Sequence, residues 1–387
     1  MGQIEVRRSP VGDFPQRNGP LSYDPYEAML AIGHKPPFWV EDPNDVDGYW
    51  VVTRYEDVLE VLSNTEFFSS LRANIPYFQM EEPLIPTETD PPDTQKVRAI
   101  LMPCLTARRT AALEPLMHEI SSSIIAGFRD KGQCEVVRDF ARLYPIAIFL
   151  KFFGLPTDRA EEFRKHAHTF LHAPNTDSWA AIRAIVEEQL RIKREHPADD
   201  LLSAVANGKI DGKILDLPTA VNIASTVFLG GLDTLPSNIG WMLRHLANHP
   251  DARKQLIDDP SLIPGAVEEF LRLYSVANPV RSVKKDINFH GATMKAKDRI
   301  YVSVAMANQD PHEFSDGVNF SREVNRHLAF ASGPHRCLGS HLSRHELGIA
   351  IEEWLKAIPD FRIQPGSQPT FQGPVFSMDS LRLEWDV

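Results

Sequence analysis

Cys337 stands in the run Phe330-Ala331-Ser332-Gly333-Pro334-His335-Arg336-Cys337-Leu338-Gly339, an F-x-x-G-x-x-x-C-x-G spacing that leads into a helical pattern. A sulfur at the start of a helix faces unpaired backbone N–H groups and the positive end of the helix dipole, which favour the thiolate and make it a strong metal ligand. Gly333 and Gly339 let the backbone pass close to a flat cofactor, and the Phe330 ring can keep water from the sulfur. Cys104 and Cys134 have no comparable setting and read as small buried hydrophobes. The rival metal reading is zinc, because Cys337, His341 and His345 follow one another at i, i+4 and i+8. Zinc leaves Phe330, Gly333 and Gly339 without a purpose.

A second set of residues lies upstream, where Gly230-Gly231-Leu232-Asp233-Thr234 interrupts an apolar run with helical spacing from Leu217 to Ala247. Glycine inside a helix costs about 1 kcal/mol relative to alanine, so two in succession signal a close approach to the backbone. Thr234 can turn its hydroxyl onto the Gly230 carbonyl four residues back. Pro236 offers no N–H to the Leu232 carbonyl, so a kink is expected next to this pair. Glu269 and Arg272, at i and i+3, oppose a carboxylate and a guanidinium; alone they would be an ordinary surface ion pair.

Taken together these residues resemble the cytochrome P-450 family of haem-thiolate monooxygenases. Asp90-Pro91-Pro92, Asp199-Asp200-Leu201-Leu202, Ala307-Asn308-Gln309-Asp310-Pro311 and His327-Leu328-Ala329-Phe330 extend the resemblance from about residue 25 to the C-terminus. It implies haem b (iron protoporphyrin IX) with Cys337 as the axial iron ligand, and Asp233 and Thr234 as the oxygen-activating pair. Arg98, Arg281 and His335 are the implied propionate partners. Thr94 stands where the family often has histidine, and Ala331 where it usually has glycine. Phe330, Gly333, Gly339 and Gly231 are expected against the cofactor, with Glu269, Arg272 and Arg322 holding the proximal loop. A thiolate ligand favours O–O cleavage on iron, so the implied reaction inserts one atom of O2 into a C–H bond.

Within the family the similarity points to the bacterial camphor-hydroxylating type, through Gly230 to Thr234, Arg281 with Phe289-His290-Gly291, and Trp354 to Phe361. The implied substrate is a small apolar molecule, a terpenoid or norisoprenoid. Its contacts are expected from Phe78, Leu84, Thr226, Leu229, Ala277 and Val375. The camphor-anchoring tyrosine falls near Glu82, which argues against camphor itself. The chain closes about 50 residues after Cys337, so electrons are expected from a separate [2Fe-2S] ferredoxin and its reductase. Arg108-Arg109 would offer an acidic donor a local basic face. A peroxide-using haem-thiolate enzyme and a non-catalytic haem sensor are the alternatives.

The elements that must position these groups are mostly helical. Helix is expected at Pro25 to Ile32, Glu56 to Leu62, across most of Thr94 to Leu273, and at Leu338 to Ala357. Strands are expected at Phe38 to Val40 and Tyr49 to Thr53, joined at Asp47-Gly48, and at Val280 to Val283, Ile287 to Phe289 and Ile300 to Val304. Residues 1–24 read as an irregular arm, and the proline-rich stretch from Ile75 to Asp93 as a substrate loop. The fold is expected to be mainly α: one large cytochrome P-450-type domain over 25–387, with small β-sheets at one edge.

Composition narrows the class without naming it. The 387 residues are 43% hydrophobic and 24% charged, as in globular proteins. A net charge of -11 argues against nucleic acid. Three scattered cysteines make no disulfide framework, and no run reaches the length of a membrane span. A soluble cytoplasmic monomer is expected.

Overall fold

The computed structural model describes residues 19–41, 48–73, 82–172 and 176–387. Tyr77 and Phe78, expected in the substrate loop, lie outside them. The helices run α1 Pro25–Ile32, α2 Tyr55–Ser63, α3 Asp93–Leu101, α4 Ala107–Ala111, α5 Glu114–Ala126, α6 Leu143–Phe153, α7 Ala160–His172, α8 Thr176–Glu195, α9 Leu201–Ala206, α10 Leu217–Leu232, α11 Thr234–Asn248, α12 Pro250–Asp258, α13 Ile263–Leu273, α14 Val304–Ala307 and α15 Ser340–Ala357. No helix among the described residues is long and apolar enough to cross a membrane. The architecture is mainly α with small peripheral sheets, as the sequence predicts.

The largest sheet has five strands in the order β2 Phe38–Val40, β3 Tyr49–Val52, β11 Arg299–Val302, β8 Val280–Val283 and β4 Phe68–Ser69. Its β3–β11 pair is parallel, with Val51 opposite Tyr301, so the N-terminal hairpin is stitched to a segment far along the chain. The hairpin forms as expected, and Gly48 at its turn takes a φ of +65°. The smaller sheets are β1 Gly19–Leu21 with β13 Thr370–Gly373 and β14 Ser377–Ser380; β5 Gln133–Glu135 with β15 Arg382–Glu384 and β12 Arg362–Ile363; and the pairs β6 Lys209–Ile210 with β7 Lys213–Ile214, and β9 Ile287–Phe289 with β10 Ala292–Met294.

Four expectations need correction. The arm is not irregular through residue 24: Gly19–Leu21 is a strand on β13, and Asp24 caps α1 by accepting the Tyr26 N–H at 2.9 Å. Val304 begins a helix, since its neighbours' backbone groups bond along α14 once β11 ends at Val302. The C-terminal helix begins at Ser340, two residues after Leu338. The long central helix is two helices, broken at Asp233, whose φ of -120° and ψ of -31° leave the helical region. Pro236 then falls in the first turn of α11, where its missing N–H would have had no helical partner anyway. The disruption expected at Pro236 therefore resolves as a break three residues earlier.

Packing puts the break at the junction of two hydrophobic clusters. Leu235, Ile239, Trp241, Met242 and Leu246 of α11 join a core with α13, α15 and the C-terminal strands. Ile223, Ala224, Phe228 and Leu232 of α10 join a second core with α6, α7, α8 and α9. A third packs the five-stranded sheet against α2 and α14.

Candidate active site

The loop before α15 is built on short backbone bonds: Ala331 N–H to the Leu328 carbonyl at 2.7 Å, Arg336 N–H to Gly333 at 3.1 Å and Cys337 N–H to Phe330 at 2.8 Å. Cys337 keeps accessible surface although protein surrounds it closely. Burial pushes its thiol up; the Gly339 N–H, which donates to the sulfur, and the guanidiniums of Arg98, Arg344 and Arg336 pull it back without winning. The expectation that the helix start alone favours the thiolate is corrected: α15 begins three residues too late, and desolvation outweighs one N–H. A metal ion bound to the sulfur would add the positive charge that favours the thiolate.

Gly333 is needed for a reason beyond the one expected. At φ +66° a Cβ there would stand 2.7 Å from the Leu62 carbonyl oxygen, so the end of α2 requires a glycine at this position. The Phe330 ring is covered by the Arg344 guanidinium at 4.6 Å. The zinc reading is not supported by geometry: the ligand atoms of Cys337, His341 and His345 do not converge among the described residues, and His345 pairs its Nδ1 with Glu114 at 2.7 Å. His118, Glu352 and Glu353 come together on α5 and α15, a group that includes none of Cys337, His341 or His345.

Glu269, with its side chain fully buried, anchors this loop from α13. Arg272 reaches it at 3.0 and 2.9 Å, Arg322 at 2.9 Å, Asn325 at 2.8 Å and the Asn319 N–H at 2.9 Å. Burial pushes the Glu269 carboxyl up, but these donors overcome it and hold it below its ordinary range. Sequence reasoning missed the neighbouring Glu268, which accepts from Arg344 at 2.6 and 2.9 Å and faces His327 at 2.9 Å. Against the upward push of burial, His327 and Arg344 bring it down to about 2. Two adjacent glutamates on one helix were its available signal.

Arg281, His335 and Arg98 crowd one another. Burial lowers His335 to about 4, with the charges of Arg281 and Arg98 adding to the effect. Arg281, buried and brought down to about 10 chiefly by desolvation, has one hydrogen bond among the described residues, to the carbonyl of adjacent Val280. Among the described residues the buried Nε2 of His335 has no hydrogen-bond partner, and Arg98 donates to the Arg336 carbonyl at 2.6 Å. Three basic side chains with this much unsatisfied capacity fit a ligand that carries two carboxylates beside the cysteine, as haem does. Thr94 stands behind them: its hydroxyl donates to the Thr89 carbonyl at 2.6 Å, and Thr89 in turn contacts His335.

The break between α10 and α11 places the Thr234 hydroxyl 3.4 Å from the Gly230 carbonyl, the contact that the i, i+4 spacing predicts. Of the two glycines, Gly230 has the open face, with nothing within 4 Å of a Cβ. At Gly231 a Cβ would meet the Phe149 ring at 2.1 Å, so its missing side chain lets α10 pack against α6. Asp233 is nearly buried and lies 3.6 Å from His168 Nδ1 on α7, a partner the sequence did not reveal.

Thr226 and Leu229 are buried on α10, Leu229 within the second core. Leu84 is half-buried, Ala277 is exposed, and Val375 packs against the first core. Asn222, also missed, ties the described end of the expected substrate loop to α10, accepting the Ile85 N–H at 2.9 Å and donating to the Pro83 carbonyl at 3.0 Å.

Comparison with known proteins supplies the context for this site. The family model described as Cytochrome P450 matches residues 180–384. The chain is 36% identical over 385 residues to the probable cytochrome P450 127A1 of Sinorhizobium fredii, covering 97% of this chain and 92% of that one. It is 31% identical to the vitamin D(3) 25-hydroxylase of Pseudonocardia autotrophica, covering 90% of each. The crystal structure of CYP101J2 superposes over the full length of both chains with a TM-score of 0.89 at 28% identity. With its cysteine loop, its buried glutamate–arginine anchor and its broken central helix all in the positions described, the chain belongs to the cytochrome P-450 family and is a monooxygenase of that family.

Proposed function

We propose that this monooxygenase hydroxylates a small apolar molecule, a terpenoid or norisoprenoid, with O2 and two electrons delivered by a [2Fe-2S] ferredoxin. The observation that carries the oxygen-using reading is the break at Asp233, with Thr234 on the Gly230 carbonyl and an open face at Gly230. Cys337 would hold haem b as a thiolate, and Arg98, Arg281 and His335 would take its carboxylates. When bound, the haem supplies the iron at which oxygen is reduced and a C–H bond is oxidised.

The chain's own groups do the rest. The break frees the Gly230 carbonyl from a regular helical partner, and the Thr234 hydroxyl can accept a proton there or pass one on. Asp233, held beside His168, can shuttle protons from the α7 side toward Thr234. Thr226 and Leu229 on α10, with Leu84 and Val375, offer the walls of an apolar site. The substrate class rests on resemblance to the camphor-hydroxylating type in Gly230 to Thr234, Phe289-His290-Gly291 and Trp354 to Phe361.

The test begins with the carbon monoxide difference spectrum of the reduced protein. A band near 450 nm reports thiolate ligation, and Cys337→His should abolish it; a surviving band removes Cys337 from the site. Terpenoid titration should then shift the spin state, and ferredoxin with its reductase should give hydroxylated product. Turnover with hydrogen peroxide alone would favour the peroxide-using alternative. Thr234→Ala should raise peroxide release per electron consumed, and unchanged coupling would exclude Thr234 from oxygen activation.

A further inference from the structure

Away from the cysteine loop, α11 carries an aromatic assembly that packing explains only in part. Trp241 lies flat between Tyr274 and Phe371, 5.4 Å from each centroid and tilted by 12° and 7°. Tyr26 meets Trp241 edge-on at 4.7 Å and Tyr274 at 5.4 Å. The Tyr274 hydroxyl lies 2.8 Å from Nδ1 of His245, one turn beyond Trp241. His245 in turn stacks at 4.1 Å on exposed His249, so the assembly runs from the core to the surface.

Ring stacking is favourable in this geometry, which accounts for the sandwich. It does not account for the choice of hydrogen-bond acceptor. Tyr144 and Tyr55 give their hydroxyl protons to backbone carbonyls, which cannot take a proton away. Tyr274 instead lies against an imidazole nitrogen, which in the tautomer with Nδ1 unprotonated accepts the phenol proton. Losing an electron turns a phenol into a strong acid, so a buried tyrosine is readily oxidised only where a base stands ready for the proton. His245 is such a base: burial, with His249 and Arg244 beside it, holds it at about 4 and therefore neutral.

We propose that Tyr274 and His245 form a proton-coupled redox site, reached through Trp241. Tyr274 gives one electron to a strong one-electron oxidant of the peroxide-derived or metal-centred class. Its O–H bond breaks as an N–H bond forms at His245 Nδ1, leaving a neutral tyrosyl radical, an imidazolium and an oxidant reduced by one electron. A one-electron reductant such as a thiol or an enediol at the His249 edge reverses the step.

Trp241 relays the charge but does not keep it. Its Nε1–H donates to the Phe376 carbonyl at 2.7 Å, which is no proton acceptor, and the Arg244 guanidinium lies 5.1 Å from its ring, where positive charge opposes a radical cation. Asp24 pairs with Arg244 at 2.6 Å, and its charge also acts on Tyr26 and Tyr274.

The test uses haem-loaded protein oxidised by photogenerated tris(bipyridyl)ruthenium(III), freeze-quenched and read by electron paramagnetic resonance. The expected result is a tyrosyl signal that narrows on ring-deuteration of tyrosine and shows one exchangeable hydrogen-bond coupling in the unsubstituted protein. Tyr274→Phe, which keeps the ring, should lower the signal at least tenfold. His245→Phe should lower its yield at least fivefold and remove the solvent deuterium isotope effect. Near-UV dichroism and the 450 nm band check that the variants are folded. An undiminished signal in Tyr274→Phe, a radical confined to tryptophan, or no exchangeable coupling in the unsubstituted protein overturns the proposal, and the last two need no variant.

Discussion

At the scale of single residues, the loop around Cys337 holds a strained position that the sequence marks openly. Ala331 takes a φ of +55°, in the left-handed region that costs a residue with a Cβ roughly 1–2 kcal/mol. Its N–H is nevertheless fixed on the Leu328 carbonyl at 2.7 Å, so the loop enforces the conformation. Ala331→Gly relieves the strain, and the extra freedom of glycine in the unfolded chain returns about 0.4–1 kcal/mol of that gain. The expected outcome is a net stabilisation of about 0.5–1 kcal/mol in urea unfolding, with the 450 nm band unmoved. A destabilised variant would mean that the Ala331 methyl, packed beside the sheet core, matters more than its backbone.

At the scale of elements, two adjacent glycines of α10 make opposite predictions because their neighbours differ. Gly230→Ala adds a Cβ to open space and removes a helix penalty of about 1 kcal/mol, so thermal stability should rise while coupling of oxygen consumption to product falls. Gly231→Ala drives a Cβ into Phe149, itself packed on Phe153 and Phe228, and overpacking of this kind costs about 1–3 kcal/mol. Stability should fall for Gly231→Ala, measured by the same melt; equal shifts in the two variants would refute the assignment of α6 as its neighbour. The glycine pair was visible in the sequence as a close approach. Which glycine met what depended on the rotation of α10 about its axis, and that is fixed by tertiary packing of Phe228 and Leu232 into the second core.

At the scale of the whole molecule, buried titrating groups on different elements oppose one another as pH changes. Folding holds His245 at about 4 and Glu268 at about 2, both below their ordinary values. The unfolded chain therefore binds more protons, and their stabilisation, present above about 6.5 and 4.5 respectively, is lost as pH falls toward 4 and then 2; each amounts to at most about 3 kcal/mol before screening at its exposed edge. Glu346 has the reverse sign. Its fully buried carboxyl has no hydrogen-bond partner on either oxygen, and burial holds it well above its usual range, so its stabilisation is present below about 4.5 and lost as pH rises. Glu346→Gln should remove that loss, making unfolding free energy fall less steeply as pH rises above about 5 and exposing the His245 step. An unchanged slope would mean that Glu346 is ionised in the native state. The sequence by itself determined the helical class, the hairpin, the cysteine loop, the Glu269–Arg272 pair and the Thr234 contact, because each follows from local spacing or from a motif whose residues lie close along the chain; Arg322 followed from the family resemblance. Only the tertiary structure decided that burial outweighs the helix start at Cys337, that Gly333 meets α2, that His168 faces Asp233 and that Tyr274 meets His245. Those outcomes depend on desolvation and on contacts between distant segments, and neither is encoded in the spacing of neighbouring residues.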